Sequence, residues 1–90
     1  MIVGEQKPFE EIWDMSFMAL ASLHIEIIGI ERAPEGDGGS IEGLAHKIKI
    51  KVVVAKLTEK ITEIGVWTSH DKALAGLIAE NIKKETQKQR

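Results

Sequence analysis

This 90-residue chain contains no cysteine, so no disulfide reinforces it and no thiolate can hold a zinc cluster. It contains no tyrosine either. A basic excess is also missing: 12 Lys+Arg against 14 Asp+Glu leave a net charge of −2, which argues against a strong nucleic-acid binder. No uninterrupted apolar run is long enough to span a bilayer. The opening Met1-Ile2-Val3-Gly4-Glu5-Gln6-Lys7-Pro8 lacks the apolar core of a signal peptide. As written, the chain reads as cytoplasmic; it would be exported if the native gene carried a signal that this sequence lacks. Internal repeats and low-complexity segments are absent as well.

What is present is the composition of an ordinary globular domain. With 43% hydrophobic and 29% charged residues, the chain has enough apolar material to order itself. Residues 1–90 form one domain. A chain this short hides only about 60–65% of the surface its unfolded form exposes. Either its core is efficient or a second copy completes it, so a homodimer is expected on stability grounds.

The most telling pattern is His46-Lys47-Ile48-Lys49-Ile50-Lys51-Val52-Val53-Val54-Ala55. Ile48, Ile50, Val52 and Val54 share one parity, and the three lysines share the other. That is a half-buried antiparallel strand. Before it, Pro8 suits the start of a helix running to about Leu23, with Glu10 and Glu11 where the dipole favours negative charge. Phe9, Ile12, Trp13, Ser16, Phe17, Leu20 and Leu23 fall on one broad face of that helix. The arc is wide enough to touch both a sheet and a second helix.

Residues 25–32 read as a strand rich in isoleucine, and 33–39 as a Gly-rich loop. Ile41, Gly43 and Ala45 then share an inward parity. A two-residue hairpin at His46-Lys47 would set Ala45 against Ile48, Ile41 against Val52 and Glu42 against Lys51. His-Lys is poor chemistry for such a turn, and a long strand with a bulge is the competing reading. After a turn at 57–60, Thr62, Ile64 and Val66 point inward, and Ile61, Glu63, Gly65 and Trp67 outward. Pairing Val54 with Thr62 would set Lys49 opposite Trp67, a cation–π contact worth roughly 0.5–1 kcal/mol if exposed. Ser69 or Asp71 would cap a last helix with a stripe of Leu74, Leu77, Ile78, Asn81 and Ile82. The last residues, 87–90, are expected to fray, and residues 2–6 suggest a short edge strand. The predicted fold is α+β, a two-layer sandwich. An antiparallel meander of four to five strands carries both helices on one face, in the order (β)αββββα, and leaves the other face bare.

Several segments resemble a family of small, uncharacterised bacterial proteins, many of them exported or lipoproteins. They are Ile12-Trp13-Asp14, Ala19-Leu20, Ile25-Glu26-Ile27-Ile28, Ile41-Glu42-Gly43, Ile48-Lys49-Ile50, Thr62-Glu63-Ile64-Gly65-Val66 and Asp71-Lys72-Ala73-Leu74-Ala75. The resemblance covers most of residues 9–82 and lies in core positions and turns. It implies the fold and carries no activity. The family's pattern has an arginine and a glycine where Trp67 and Thr68 stand here, so no role of that arginine transfers. The order of elements is also similar to one half of a TATA-binding-protein fold.

Function is sought on the bare face. Leu44, Lys49, Lys51, Val53, Ile61 and Trp67 take outward parity and form the candidate interaction surface, with tryptophan as its anchor. Strand addition at an exposed sheet edge is a related option. Lys47, Lys49 and Lys51 lie about 6.6–6.8 Å apart along the strand and suggest an alternative, weak binding of an anionic ligand or nucleic acid beside Trp67. Glu42 and Glu63 on the same face would cancel much of that potential. His24 and Glu26 would share a strand face, but a metal site needs three or four converging groups. The loop with Glu35 and Asp37 lacks the spacing of a phosphate or calcium site. No serine has a nucleophile's context. The expectation is therefore a non-enzymatic interaction domain without cofactor, metal or evident small-molecule substrate.

Overall fold

The alternation at Ile48–Lys56 forms a strand with Ile50, Val52 and Val54 buried and Lys49 and Lys51 exposed. The computed structural model describes residues 2–69 and 72–88. Along the chain run β1 (Ile2–Glu5), α1 (Phe9–Ser22), β2 (Glu26–Arg32), β3 (Gly38–Ala45), β4 (Ile48–Lys56), β5 (Thr62–Thr68) and α2 (Lys72–Lys88). The five strands make one antiparallel sheet in the spatial order β1-β5-β4-β3-β2. It is a meander from β2 to β5, with the short N-terminal strand added beyond β5. The inward residues of β3, β4 and β5 join both helices in one core, so both helices cover the same face.

The β3–β4 connection is the two-residue hairpin, and the bulge alternative does not occur. Ala45 pairs with Ile48, Ile41 with Val52 and Glu42 with Lys51. His46 (φ 49°) and Lys47 (φ 67°) both take the left-handed conformation that such a turn demands. The β4–β5 register differs from expectation by two residues. Val54 pairs with Ile64, and Lys51, rather than Lys49, stands opposite Trp67. The cause lies in the turn. Thr58 Oγ1 accepts hydrogen bonds from the N–H groups of Lys60 (3.2 Å) and Ile61 (3.1 Å), and the Leu57 N–H donates to the Ile61 carbonyl (3.0 Å). The hairpin therefore closes on Leu57 and Ile61, which sets Lys56 rather than Val54 opposite Thr62.

The end of α1 has a similar local logic. His24 N–H donates to the Ala21 carbonyl and Ile25 N–H to the Leu20 carbonyl, both at 3.0 Å, with His24 at φ 58°. This is a Schellman motif, and Ile25 and Leu20 supply the apolar contact that accompanies it. His24 is thus a helix-terminating residue and does not share a strand face with Glu26; β2 begins one residue later than expected. On the other flank of α1, Arg32 reaches back from β2. Its guanidinium lies 5.1 Å from the Phe9 ring centroid and 5.2 Å from that of Trp13, and it donates to Glu10 Oε1 at 2.6 Å.

Small residues bring the layers together. A methyl group at Gly39 would lie 2.8 Å from the Trp13 ring, so the indole needs that glycine beneath it. Ala19, Ala75 and Ala79 are buried in the core shared by the two helices. That turns α2 onto Ala75, Ile78, Ala79 and Ile82 and leaves Leu77, expected in the stripe, 49% exposed. The two buried hydroxyls are satisfied: Ser16 donates to the Ile12 carbonyl and Thr62 to the Lys7 carbonyl, both at 2.8 Å. The Thr62 bond pins the β1–α1 connection onto β5. Of the end expected to fray, residues 87–88 belong to α2, while 89–90, and Asp71 as a helix cap, lie outside the described residues.

Candidate functional site

The face opposite the helices is built row by row from the strand register. One row runs Ile2, Gly65, Val53, Ser40 and Glu31 across all five strands. The next runs Trp67, Lys51, Glu42 and Gly29. A third holds Lys49, Leu44 and Glu26. Ser69 extends this row beyond β5. Its N–H donates to the Lys49 carbonyl at 3.0 Å, and its Oγ accepts the Lys49 N–H at 3.1 Å. Both bonds hold Ser69 to the sheet.

Trp67 lies back along its own strand. A methyl group at Gly65 would collide with indole atoms Cη2 and Cζ3. Glycine at this position is what lets the ring lie on the strand, burying Gly65 while Trp67 itself stays 48% exposed. On this face the ring has the exposed Ile2 (60%) one strand away, and across the sheet the exposed Ile28 (53%). Between Trp67 and Ile28 is an open concavity of ≈ 450 Å³, also lined by Glu42, Lys49, Lys51 and Ser69.

Of the six residues read as the interaction surface, the structure brings five onto this wall. Lys49, Lys51 and Trp67 are exposed there, and Leu44 and Val53 are half-buried. Ile61 falls outside it. It precedes β5, sits half-buried in a separate hollow with Gln6, Pro8 and Lys60, and is about 20 Å along the strand direction from Trp67. Sequence reasoning missed Ile2 and Ile28. Ile28 faces outward because the β2–β3 pairing shifts register between Ile27 and Gly29. The adjacent Ile27-Ile28 pair, which no simple alternation accommodates, was the available signal. Ile2 belongs to the wall only because β1 docks beside β5.

The cross-strand charges do not close on each other. Glu42 opposes Lys51, but its side chain lies over Gly29, with Oε2 3.5 Å from where a Cβ would be. The ion pairs among the described residues are Lys7–Glu11, Arg32–Glu10 and Lys56–Glu59, none of them on this wall. Among the described residues the cation–π contacts are those of Arg32 with Phe9 and Trp13, and the expected Lys49–Trp67 contact is not formed. No three His, Cys, Asp or Glu side chains converge among the described residues. No helix there is long and apolar enough to cross a membrane. No family model, curated protein or solved structure matches this chain. The wall offers an aromatic anchor, flanking aliphatic groups, and lysines and glutamates without an ion-pair partner among the described residues.

Proposed function

We propose that this chain is a non-enzymatic interaction domain of bacterial type that associates through the uncovered wall of its sheet, with a second copy of itself as the partner. The observation that carries the reading is Trp67. A tryptophan held flat on Gly65 and left 48% exposed, between exposed Ile2 and Ile28, has the makings of an interface anchor. Lys49 and Lys51 stand on the central strand β4, with Glu26, Glu31 and Glu42 on β2 and β3 to one side and Glu63 on β5 to the other. A two-fold axis passing between β3 and β4 would set the lysines of one copy against Glu42 of the other, so these charges supply registry more than affinity.

The dimensions bound the strength. Five strands about 4.8 Å apart, each about seven residues long, give a wall of roughly 24 by 23 Å. That is close to 550 Å² per copy, at the small end of specific interfaces, so a dissociation constant in the micromolar range is expected. Sedimentation equilibrium from a few to several hundred micromolar tests this. The wild type should move from monomer toward dimer, and Trp67→Ala should weaken association by about 30-fold, as loss of a hot spot does. A wild type that stays monomeric throughout, or a Trp67→Ala variant that assembles unchanged, refutes the reading.

A further inference from the structure

We propose that the concavity between Trp67 and Ile28 is a binding site for a small planar aromatic carboxylate. This goes beyond the association reading and does not rest on it, because a single copy of the chain holds every group involved. Its volume of ≈ 450 Å³ falls within the range of small-molecule sites. One wall is an indole on β5, and the opposite wall is the isoleucine that the β2 irregularity turns outward. The floor between them is the sheet itself, spanning β4 and β3. Lys51 and Glu42 rise from that floor, and beside them the exposed indole can pack against a planar ring.

The polar groups of the site specify the rest of the ligand. Lys49 and Lys51 enter the concavity, and neither has an ion-pair partner among the described residues. The Ser69 hydroxyl oxygen already accepts the Lys49 N–H, which leaves its own proton to donate. Glu42 is the one carboxylate lining the site, and its side chain leans over Gly29 on β2, the far side from Trp67. Two ammonium groups and one carboxylate leave a single net positive charge. The site thus presents donors and a charge of plus one beside an aromatic wall. A monoanion with acceptor oxygens matches that balance. A dianionic phosphate ester would meet Glu42 uncompensated, and a neutral aromatic would leave both lysines unused.

The probe is 2-naphthoate, titrated into the ¹⁵N-labelled protein at a concentration where sedimentation shows one species. Saturable shifts should appear at Ile28, Lys49, Lys51, Trp67 and Ser69, including the Trp67 indole N–H. Neutral 2-naphthylmethanol should bind at least tenfold more weakly, and acetate alone should cause no shift at Trp67. Lys51→Gln and Lys49→Gln should each weaken binding about fivefold with an unchanged melting temperature. Raising salt should weaken the wild type further. Absence of saturation at millimolar probe overturns the proposal. So does equal binding of naphthoate and naphthylmethanol, or shifts scattered over the helix-covered side. Because the titration uses one species, its failure leaves the sedimentation result standing, and the reverse also holds.

Discussion

Replacing His46-Lys47 by Asn-Gly should raise the stability of the domain, although it removes a charge and introduces a flexible residue. Both residues of the turn have positive φ, 49° at His46 and 67° at Lys47. For a residue with a Cβ that conformation costs roughly 1–2 kcal/mol, least for Asn, Asp and His. At position 47 a glycine removes the strain, while its greater freedom in the unfolded chain costs about 0.4–1 kcal/mol. At position 46 the exchange of His for Asn contributes a few tenths of a kcal/mol. The net expectation is a gain of about 1 kcal/mol, which for a domain of this size is a rise in Tm of roughly 4–8 °C. Thermal unfolding followed by circular dichroism reads it directly. Lys47→Ala serves as control and should leave the midpoint nearly where it was, since alanine keeps the Cβ that glycine removes. The reasoning is refuted if the Asn-Gly variant melts below the wild type. Glycine inside a continuous bulged strand would destabilise, so a fall in Tm would point to that arrangement.

Two further outcomes test the local geometry and the assignment of faces. His24→Gly should stabilise the domain by about 0.5–1 kcal/mol, because glycine is the favoured residue at the left-handed position of a Schellman motif; the urea midpoint should rise with an unchanged m-value, and a fall would mean that α1 does not end there. Ile50→Asp should abolish cooperative unfolding by placing an unpaired charge in the core, whereas Lys49→Asp, one residue away, should stay within about 0.5 kcal/mol of wild type. Equal melting of those two variants would show that the faces of β4 are wrongly assigned.

Much of this architecture is written in local patterns. The period-two alternation of Ile48 to Val54 decides which side of β4 is buried, since successive side chains must point to opposite faces. The apolar arc from Phe9 to Leu20 requires α1 to meet more than one neighbour, and it packs on the sheet and on α2. The parity of Ile41, Gly43 and Ala45 against Ile48 requires an interruption at His46-Lys47, and of the two that fit it, a two-residue turn or a bulge, the structure has the turn. Each of these is a statement about residues adjacent in the chain, and adjacency is what a sequence records.

The candidate site depended on relations that no local pattern contains. Whether Lys49 or Lys51 faces Trp67 is set by where the β4–β5 hairpin closes, and the Thr58 hydroxyl decided that. Ile28 joins the wall because the pairing of β2 with β3 slips by one residue, and Ile2 because β1 docks beside β5. Leu77 is left outside because alanines on the two helices set the packing. The sequence alone settled which side chains face inward along α1, β3, β4 and β5, a matter of steric periodicity along the backbone. Only the tertiary structure decided which elements lie side by side and in what register, because that depends on contacts between residues far apart in the chain.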